Sequence, residues 1–360
     1  MSFDELLDQP AVPWMSGNGA EADIALSSRI RLARNLCGLP FPNRATGEQL
    51  ANVANQLKST VNVLRTADSH NYMYIEMDQL SDLERNVLVE KHIVSPHYVE
   101  QPEHRALIVR DDAAVSIMIN EEDHLRIQCM RAGLNLPDAL ALANQVDDTV
   151  EARHDIAFNE QMGYLTACPT NLGTGLRASV MVHLPALVLT RQINRIFNAS
   201  TQLGLAIRGL YGEGTEASGN IFQISNQLTL GYTEQGIIDN LKSVAQQVVD
   251  QERTARAFLM RQSSQSLVDR LWRAYGTLSY ARSMNGQEAL SLISEMRLGI
   301  DLKIIDEVPA GIFNELLVTT RPNYLQKLAI RSGIQETERD KLRAQVIRDT
   351  IKRLRRDVNV

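Results

Sequence analysis

The pattern of apolar residues changes near residue 232, and this change constrains the fold more than any other feature. Before it, short stretches with strand-like alternation, such as Ala25–Arg34, are mixed with helical stretches. After it, Ile238, Leu241 and Val244 begin a series at helical spacing, and only helical stretches follow. The sequence therefore predicts an α+β domain with an antiparallel β-sheet flanked by helices, followed by an all-helical C-terminal domain.

The predicted elements divide the chain into an N-terminal segment (1–20), an α+β domain (21–258) and a helical domain (259–360). The helix that begins at Glu234 could belong to either domain. The predicted strands are Ala25–Arg34, a pair over Ala106–Ile119 broken at Asp111-Asp112, Gly204–Tyr211 and Gly219–Leu230. The other predicted helices are Thr46–Leu64, Leu136–Ala157, Ser266–Arg282, Gln287–Arg297, Ile312–Thr319 and Glu336–Arg356.

Composition excludes several classes of protein. The net charge of −6 argues against nucleic acid as a direct partner. The N-terminus lacks the basic start and apolar core of a signal peptide, and no apolar run is long enough to span a membrane. Three widely spaced cysteines, Cys37, Cys129 and Cys168, fit a reducing compartment and show no zinc-ligand spacing. We therefore expect a cytoplasmic protein that binds neither membrane nor nucleic acid.

The common nucleotide-binding signatures are absent. The chain has no GxxxxGK[ST] loop and no HRD or DFG motif. Residues 173–178 match GxGxxA, but the acidic residue expected further along is missing, because that region reads Ile193-Asn194-Arg195. We reject a dinucleotide-binding fold on this ground.

Arginines lie instead beside glycines and hydroxyls. Arg29 and Arg31 are two residues apart, so on a strand they share one face. Arg177 follows a glycine-rich loop, Arg208 precedes Gly209, and Arg126 follows a run of carboxylates. Converging guanidinium groups would suit a triphosphate, because each holds phosphate oxygens and stays charged. The alternative, solvated strand arginines, is the more common situation for any single one of them.

Carboxylates occur in two places that could hold a cationic substrate. Glu121, Glu122 and Asp123 follow an apolar strand, and if this segment is extended, Glu122, His124 and Arg126 share one face. Glu213 and Glu216 lie in a second, glycine-rich segment. Carboxylates on two segments could clamp one guanidinium from both sides. The alternative for the first segment is an ordinary acidic hairpin turn.

Cys168 precedes Pro169 and a polar, glycine-containing loop that ends at Thr174. An isolated cysteine is more often a small core residue than a reactive one. Here Thr170 lies two positions on and could donate a hydrogen bond to a Cys168 thiolate, which favours a reactive role.

Four motifs in order resemble those of the phosphagen (guanidino) kinases. Residues 28–35 look like that family's STRIRLGRN strand, 120–126 read NEEDHLR, 168–174 read CPTNLGT, and 208–213 look like its RGxxGE loop. The resemblance covers roughly residues 20–255. It implies a guanidino-kinase catalytic domain that uses ATP, with Mg²⁺ bridging the phosphates and no protein residue assigned as a metal ligand.

Two departures from the family refine the expected substrate. The family normally carries a helical domain before the STRIRLGRN strand, which here begins at Ser28, and this chain carries a helical domain after the catalytic one. That layout is similar to the bacterial branch of the family that acts on arginine side chains of proteins. The resemblance implies that the leading domain helps enclose a free substrate in the small-molecule kinases, so its loss would open the site to an arginine on a protein. Tyr211 also replaces an arginine of the RGTRGE form, so one phosphate-contacting guanidinium is absent or is supplied by Arg208.

The resemblance also assigns residues. It implies nucleotide contacts from Ser27, Ser28, Arg29, Ile30, Arg31, His92, Arg126, Arg177, Ala178, Ser179, Val180, Met181, Arg208, Gly209, Leu210, Tyr211, Gly212 and Glu213. For catalysis we assign Glu122 as the base that orients the guanidino nitrogen and accepts its proton. Glu216 serves as the second clamp, Glu121 lies beside the base, and Cys168 positions the guanidino group.

The last predicted helix carries Arg339, Asp340, Lys341, Leu342, Arg343 and Ala344. Arg339 and Arg343 are four apart and face the same way, and Asp340 can pair with Arg343. The ordinary interpretation is a salt-bridged surface helix. The resemblance implies instead an allosteric pocket for phosphoarginine, with cations for the phosphate and Asp340 for the guanidinium. Leu342, Val346 and Leu354 are predicted to dock this helix on its domain.

Two other functions stay open at this point: a kinase for free arginine or another small guanidine, and a non-catalytic phosphoarginine-binding adaptor. The set of Glu122, Arg126 and Cys168 argues against the adaptor. The missing leading domain argues against the small-molecule kinase. The resemblance makes several partners candidates: protein substrates with accessible arginines, an activator protein, a stress-response repressor, a Clp-type chaperone-protease, and a second copy in a homodimer.

Overall fold

The computed structural model describes residues 2–10, 12–209, 218–262, 264–329 and 333–358. Its centre is an eight-stranded sheet in the order β2-β3-β4-β5-β1-β8-β10-β9, in which neighbouring strands are antiparallel. The strands are β1 (Ala25–Arg34), β2 (Tyr72–Glu76), β3 (Ala106–Arg110), β4 (Val115–Ile119), β5 (Leu125–Ala132), β6 (Phe158–Asn159), β7 (Gly163–Tyr164), β8 (Leu176–His183), β9 (Leu205–Gly209) and β10 (Ile221–Asn226). Strands β6 and β7 form a separate small hairpin.

The helices surround this sheet and then form the C-terminal part of the chain. They are α1 (Phe3–Asp8), α2 (Gly47–Lys58), α3 (Thr60–Ala67), α4 (Asp82–Glu90), α5 (Leu136–Glu151), α6 (Pro185–Leu189), α7 (Ile193–Gln202), α8 (Glu234–Gln262), α9 (Ser264–Tyr280), α10 (Gly286–Asp301), α11 (Ile312–Thr319), α12 (Pro322–Leu328) and α13 (Glu336–Val358). The predicted α+β class and the helical C-terminal region are confirmed. In the described part of the chain, no helix is long and apolar enough to cross a membrane.

The two faces of the sheet differ in chemistry because side chains alternate along each strand. On β1, Ile30 and Leu32 are fully buried in the main core, to which α5 and α8 contribute their apolar faces. Arg29 and Arg31 alternate with them and therefore lie on the opposite face. The sheet thus presents an apolar face to α5 and α8 and a polar, arginine-bearing centre on its other side.

Several predicted element ends are wrong, and local contacts explain why. The helix predicted over Thr46–Leu64 is broken at Ser59, whose hydroxyl donates to the carbonyl of Gln56. The helix predicted to Ala157 ends at Glu151, because residue 157 pairs with Asn35 instead. Strand β10 ends at Asn226 rather than Leu230, since the Asn226 amide binds both the N–H of Ala178 and the carbonyl of Leu176.

The C-terminal helices have their own apolar core, and α13 contributes Ala344, Ile347 and Ile351 to it. The predicted docking face was partly wrong. Leu354 packs against this core, but Leu342 and Val346 are only half-buried and lie outside it. The reason is helical geometry: Ala344, Ile347 and Ile351 follow the i, i+3, i+7 spacing of a single helix face.

Buried ion pairs join the helical region to the sheet domain. Arg256 of α8 binds Glu252 at 2.9 Å and Asp301 of α10 at 3.3 Å. Arg297 binds Asp301 at 2.8 Å and donates to the carbonyl of Ala22, just before β1. These contacts fix the C-terminal helices against the start of the central strand.

Candidate active site

The predicted phosphate-binding arginines lie on one face of the sheet. Arg31 of β1 is directly opposite Arg177 of β8, and Ala33, two residues on, is opposite Arg126 of β5. Directly opposed residues of antiparallel strands share a face. Because Arg29 follows the same alternation, Arg29, Arg31, Arg126 and Arg177 form one group, called here the arginine cluster. Arg208 lies on the same face on β9, opposite Gln223 of β10.

The arginine cluster concentrates positive charge in a buried place. Burial and the nearby Arg126 and Arg177 lower the pKa of Arg29 to about 10. Burial and the same neighbours, together with Arg29, also lower the pKa of Arg31 well below its ordinary value. Burial, Arg208 and Arg126 likewise lower the pKa of Arg177. Each shift means that the cluster disfavours its own charge, and an anion bound among these groups would relieve it.

Two members of the cluster have unused donors. The Nε atoms of Arg31 and Arg177 are buried and have no hydrogen-bond partner among the described residues. Arg29 is held differently: its Nε donates to the Ser179 hydroxyl at 3.2 Å and its Nη2 to Gln223 Oε1 at 2.6 Å. A buried donor without a partner costs free energy, so Arg31 and Arg177 are prepared for a ligand with acceptor oxygens.

The remaining predicted nucleotide residues fall into three sets. Ser28, Ile30, Ala178 and Val180 have side chains on the apolar face, so only their backbone could face a ligand at the cluster. Ser27, Ser179 and Met181 alternate with them and are buried on the cluster side. Leu210, Tyr211, Gly212 and Glu213, with the predicted clamp Glu216, lie outside the described residues. Gly209 ends β9.

His92 follows α4 with a left-handed backbone, at a φ of 57°. Its ring meets Trp14 edge to face at 6.1 Å, and its carbonyl accepts from the Gln128 amide at 2.9 Å. Burial, Arg29 and Arg321 lower the pKa of His92 from 6.5 to about 3, so the ring is neutral at physiological pH. The structure therefore places His92 near Arg29, and its contact with a nucleotide stays a prediction.

The acidic segment forms a tight turn between β4 and β5. Asn120 adopts a φ of 61°, and its N–H donates to the carbonyl of His124 at 3.0 Å. The segment is therefore not extended, so the condition under which Glu122, His124 and Arg126 would share a face is not met, and the alternative of an acidic hairpin turn is the one observed. His124 is instead buried against Leu36 and Pro40, whereas Glu122 is exposed at the turn.

Glu121 is the carboxylate that contacts the arginine cluster. It forms a short ion pair with Arg126 and accepts a hydrogen bond from the Ser95 hydroxyl. Burial alone would raise the pKa of Glu121, but Arg126 and Ser95 outweigh it and lower the pKa below its ordinary value. Glu121 therefore stays charged and holds Arg126, which leaves the exposed Glu122 available to a substrate. A cavity of about 490 Å³ opens beside both glutamates.

Asp123 is a positioning residue that the sequence did not single out. Its Oδ1 accepts from the Asn35 amide at 2.6 Å and from the N–H of Ala167 at 2.7 Å. Asn35 also accepts from the N–H of His124 at 2.9 Å. These bonds tie the acidic turn to the end of β1 and to the residue before Cys168. The sequence carries one sign of this role: Asn35 lies next to Arg34 in the first family-like motif, and Asp123 lies next to Glu122 in the second.

The loop that carries Cys168 is fixed from both sides. Its Sγ lies 3.0 Å from the Thr170 hydroxyl, so the predicted contact is present. The Thr229 hydroxyl donates to the carbonyls of Thr170 and Leu172, at 3.0 and 2.6 Å. Arg34 donates to the carbonyl of Thr174 at 3.1 Å. Gly175 has a φ of 65° and a Cβ there would meet the Ala33 carbonyl at 2.7 Å, so this close approach requires glycine.

The potential metal ligands lie in another part of the sheet domain. In the described part of the chain, the grouping of three potential ligands is His70, Asp111 and Asp112, beside the β3–β4 turn and away from the arginine cluster. The cluster's donor atoms are cationic and do not suit a metal ion. A magnesium ion at this site would therefore have to be held by the phosphates that accompany it.

The predicted phosphoarginine motif lies at the start of α13. The Nε of Arg339 is buried and has no partner among the described residues. Asp340 pairs with Arg343, as predicted from their spacing. Arg343 is buried and also donates to the carbonyls of Thr320 and Met284, both at 2.9 Å. Ala344 is buried in the helical core, whereas Lys341 is exposed.

A cluster of buried arginines with unused donors fits an enzyme that transfers a phosphoryl group, and similar proteins define the class. Residues 52–255 match the family model "ATP:guanido phosphotransferase, C-terminal catalytic domain". Residues 264–359 match "Protein-arginine kinase McsB C-terminal domain". Among solved structures, a lombricine kinase is similar with a TM-score of 0.57 and 25% identity, covering 71% of this chain and 77% of that one.

Curated relatives match along almost the whole chain. A protein-arginine kinase of Desulforamulus reducens is 50% identical over 355 residues, which is 98% of this chain and 99% of the relative. One from Bacillus subtilis is 48% identical over 351 residues, 98% of this chain and 96% of the relative. The chain therefore belongs to the ATP:guanido phosphotransferases and, within them, to the protein-arginine kinase family.

Proposed function

We propose that this protein transfers the γ-phosphoryl group of ATP to the guanidino group of arginine side chains in other proteins. The observation that carries the proposal is the arginine cluster, in which Arg31 and Arg177 keep unused buried donors next to the acidic turn. Family membership supports the same activity, since the relatives along the full chain are protein-arginine kinases.

The arginine cluster binds the triphosphate and neutralises the charge that develops during transfer. Each guanidinium can hold phosphate oxygens through charge-assisted hydrogen bonds. Because phosphoryl transfer involves little covalent chemistry by the protein, positioning and electrostatics supply most of the rate. Mg²⁺ bound to ATP would add further neutralisation of the phosphate oxygens. His92, neutral and beside Arg29, contacts the nucleotide without adding charge.

The acceptor nitrogen must lose a proton as it attacks the γ-phosphorus. The new bond is N–P, the broken bond joins the γ-phosphorus to the bridging oxygen, and ADP leaves with that oxygen. Glu122 orients the guanidinium and takes the proton, because it is exposed at the turn whereas Glu121 is engaged with Arg126. Cys168, fixed by the loop that Asp123 and Thr229 hold, positions the guanidino group from the other side.

The motif on α13 is the product-binding site in this proposal. Arg339 supplies a buried Nε for the phosphate, and Asp340 supplies a carboxylate for the guanidinium. A phosphoarginine offers the complementary charges. Binding there, away from the cluster, would make the enzyme allosteric.

Location and partners extend the proposal beyond the chain itself. The protein acts in the cytoplasm on proteins with accessible arginines and marks them for a stress response or for degradation. The candidate partners for this role are an activator protein, a stress-response repressor, a Clp-type chaperone-protease and a second copy in a homodimer. The three widely spaced cysteines, which fit a reducing compartment, support this location.

Incubation with ATP, an unfolded protein and free arginine tests the function directly. We expect phosphate on arginine residues of the protein, bound through a phosphorus–nitrogen bond that is lost in mild acid. Phosphate found on free arginine alone would favour a small-molecule kinase. Label that survives acid treatment would indicate an ester and would contradict the proposal.

A further inference from the structure

Exposed large apolar side chains gather around the Cys168 loop. In the described part of the chain, ten such side chains are strongly exposed, and five of them lie in two short segments. These five are Phe158, Met162, Leu228, Leu230 and Tyr232, and we call them the apolar rim. Half of the exposed large apolar groups thus flank one loop of the candidate active site.

The first half of the apolar rim is the β6–β7 hairpin. It attaches to the catalytic loop through the N–H of Tyr164, which donates to the carbonyl of Gly173 at 2.8 Å. Gly163 lies so close to Gly173 that a Cβ would meet the Gly173 carbonyl at 2.4 Å. Phe158 stacks edge to face on Tyr164 at 5.2 Å yet remains 57% exposed. A cavity of about 600 Å³ opens beside these two rings.

The second half is the segment that follows β10. Thr229 is buried and donates to the carbonyls of Thr170 and Leu172, so its neighbours Leu228 and Leu230 are turned outward. The Cα of Leu230 is close enough to Gly173 that a Cβ on Gly173 would lie 2.8 Å from it. Both halves of the apolar rim are therefore anchored to the same loop, next to Gly173.

An acceptor arginine must reach Cys168 and Glu122, and the polypeptide on either side of it must then pass over the surface around this loop. An arginine in an unfolded protein has apolar neighbours that are exposed to water. Burying them against exposed apolar groups is favourable and needs no particular sequence. A surface continuous with the site therefore matches an extended apolar chain better than it matches a free amino acid.

We propose that the apolar rim binds apolar side chains flanking the acceptor arginine in an extended protein substrate. This inference rests on the proposed function, and it specifies the substrate: arginines whose neighbours in sequence are apolar are preferred over arginines whose neighbours are polar.

Two synthetic peptides that differ only at the neighbours of one arginine test the inference, one with leucines and one with serines. The intact enzyme should phosphorylate the leucine peptide with a KM about tenfold lower. Phe158→Ser and, separately, Leu230→Ser should bring the two KM values together. Tyr280→Ser serves as the matched control, since Tyr280 is 74% exposed on α9, and it should keep the tenfold preference. The thermal shift produced by an ATP analogue verifies that each variant is folded.

The outcomes separate this inference from the proposed function. Equal KM values for both peptides with the intact enzyme would overturn the apolar rim as a substrate surface while leaving arginine phosphorylation intact. No phosphorylation of either peptide would overturn both. A change of oligomeric state in Phe158→Ser or Leu230→Ser, with the peptide preference retained, would show that the apolar rim joins two copies of the chain, which also overturns the inference.

Discussion

The arginines that pack the fold and those of the arginine cluster are buried in opposite surroundings. In the packing regions each guanidinium meets a carboxylate: Arg34 binds Asp147 at 2.6 Å and Arg297 binds Asp301 at 2.8 Å. In the arginine cluster, Glu121 is paired with Arg126, and the Nε atoms of Arg31 and Arg177 have no partner among the described residues.

The difference separates arginines that stabilise the fold from arginines prepared for a ligand. A buried charge with a matched partner is compensated, so removing it leaves the partner unpaired and the fold weaker. Like charges that outnumber their counterions lower one another's pKa and destabilise the free protein. The cluster keeps this arrangement because a bound anion balances its charge. A substitution in the cluster should therefore lower activity without lowering stability, whereas one among the packing arginines should lower stability and change activity little.

The largest effect should follow from Arg177→Ala. Losing two charge-assisted hydrogen bonds, each worth about 1.5–3 kcal/mol, should lower kcat/KM by roughly a thousandfold. The free energy of unfolding should stay the same or increase, because repulsion within the cluster falls. Steady-state kinetics and denaturant unfolding on one preparation measure both. A large loss of stability would place Arg177 with the packing arginines.

Arg297→Met is the matched change in the other region. It leaves Asp301 short of a partner and removes donors from the carbonyls of Ala310 and Ala22. Breaking such a buried pair should lower the free energy of unfolding by about 3–5 kcal/mol. Activity per folded molecule should change little at temperatures where the variant is folded. If Arg297→Met lost turnover without losing stability, the distinction between packing arginines and ligand-binding arginines would be contradicted.

Glu122→Gln tests the base beside the cluster and should reduce turnover by about a hundredfold or more, with the fold retained. The affinity for ATP should persist, because Glu121 and not Glu122 holds Arg126. Glu48 is an exposed glutamate at the start of α2, and Glu48→Gln is the control that should leave turnover unchanged. Turnover within a few-fold of the parent would remove Glu122 from the role of base.

The Glu121–Arg126 pair predicts a pH dependence of stability. The folded pKa of Glu121 lies below its ordinary value of 4.5, so its carboxylate stabilises the fold above that pH. The contribution is lost as the pH falls through the folded pKa. Glu121→Gln should therefore cost about 1.5–3 kcal/mol at neutral pH and progressively less below pH 4.5, as followed by denaturant unfolding across this range. A difference that does not change with pH would mean that Glu121 is not charged in the fold.

Strand periodicity made part of the site predictable. Side chains alternate between the two faces of a strand, so Arg29 and Arg31 were predicted to share a face, and they do so in the structure. What the sequence could not supply was register and turn geometry. The pairing of Arg31 with Arg177 depends on how β1 and β8 align.

The different roles of Glu121 and Glu122 depend on the left-handed backbone of Asn120, and two adjacent glutamates give no hint of it. The tie from Asp123 to Ala167 joins residues 44 positions apart and is visible only after folding. Strand β2 was also missed, because its sequence, Tyr72 to Glu76, lacks the alternation that marks a half-buried strand.

The smallest predicted effect concerns a third group of arginines, on α13. It tests whether a buried arginine Nε without a hydrogen-bond partner marks an anion-binding site elsewhere than in the arginine cluster. Arg339 shares this feature with Arg31 and Arg177, whereas Arg343 is fully engaged with Asp340 and two carbonyls. Asp340 binds Arg343 through Oδ1, and its other carboxylate oxygen is the acceptor proposed for the guanidinium of a bound phosphoarginine. Losing one such contact should weaken phosphoarginine binding by about tenfold or more, which corresponds to about 1.4 kcal/mol.

Asp340→Ala, measured by calorimetry with free phosphoarginine, provides the test. Arg343 should keep its position through the carbonyls of Thr320 and Met284, so the fold should survive. ATP affinity should be unchanged, because the arginine cluster lies on the sheet and not on α13. Asp349→Ala, an exposed aspartate further along the same helix, is the control. Equal phosphoarginine affinity in the parent and in Asp340→Ala would make α13 an ordinary salt-bridged surface helix. An unpartnered Nε would then mark an anion site only inside the arginine cluster.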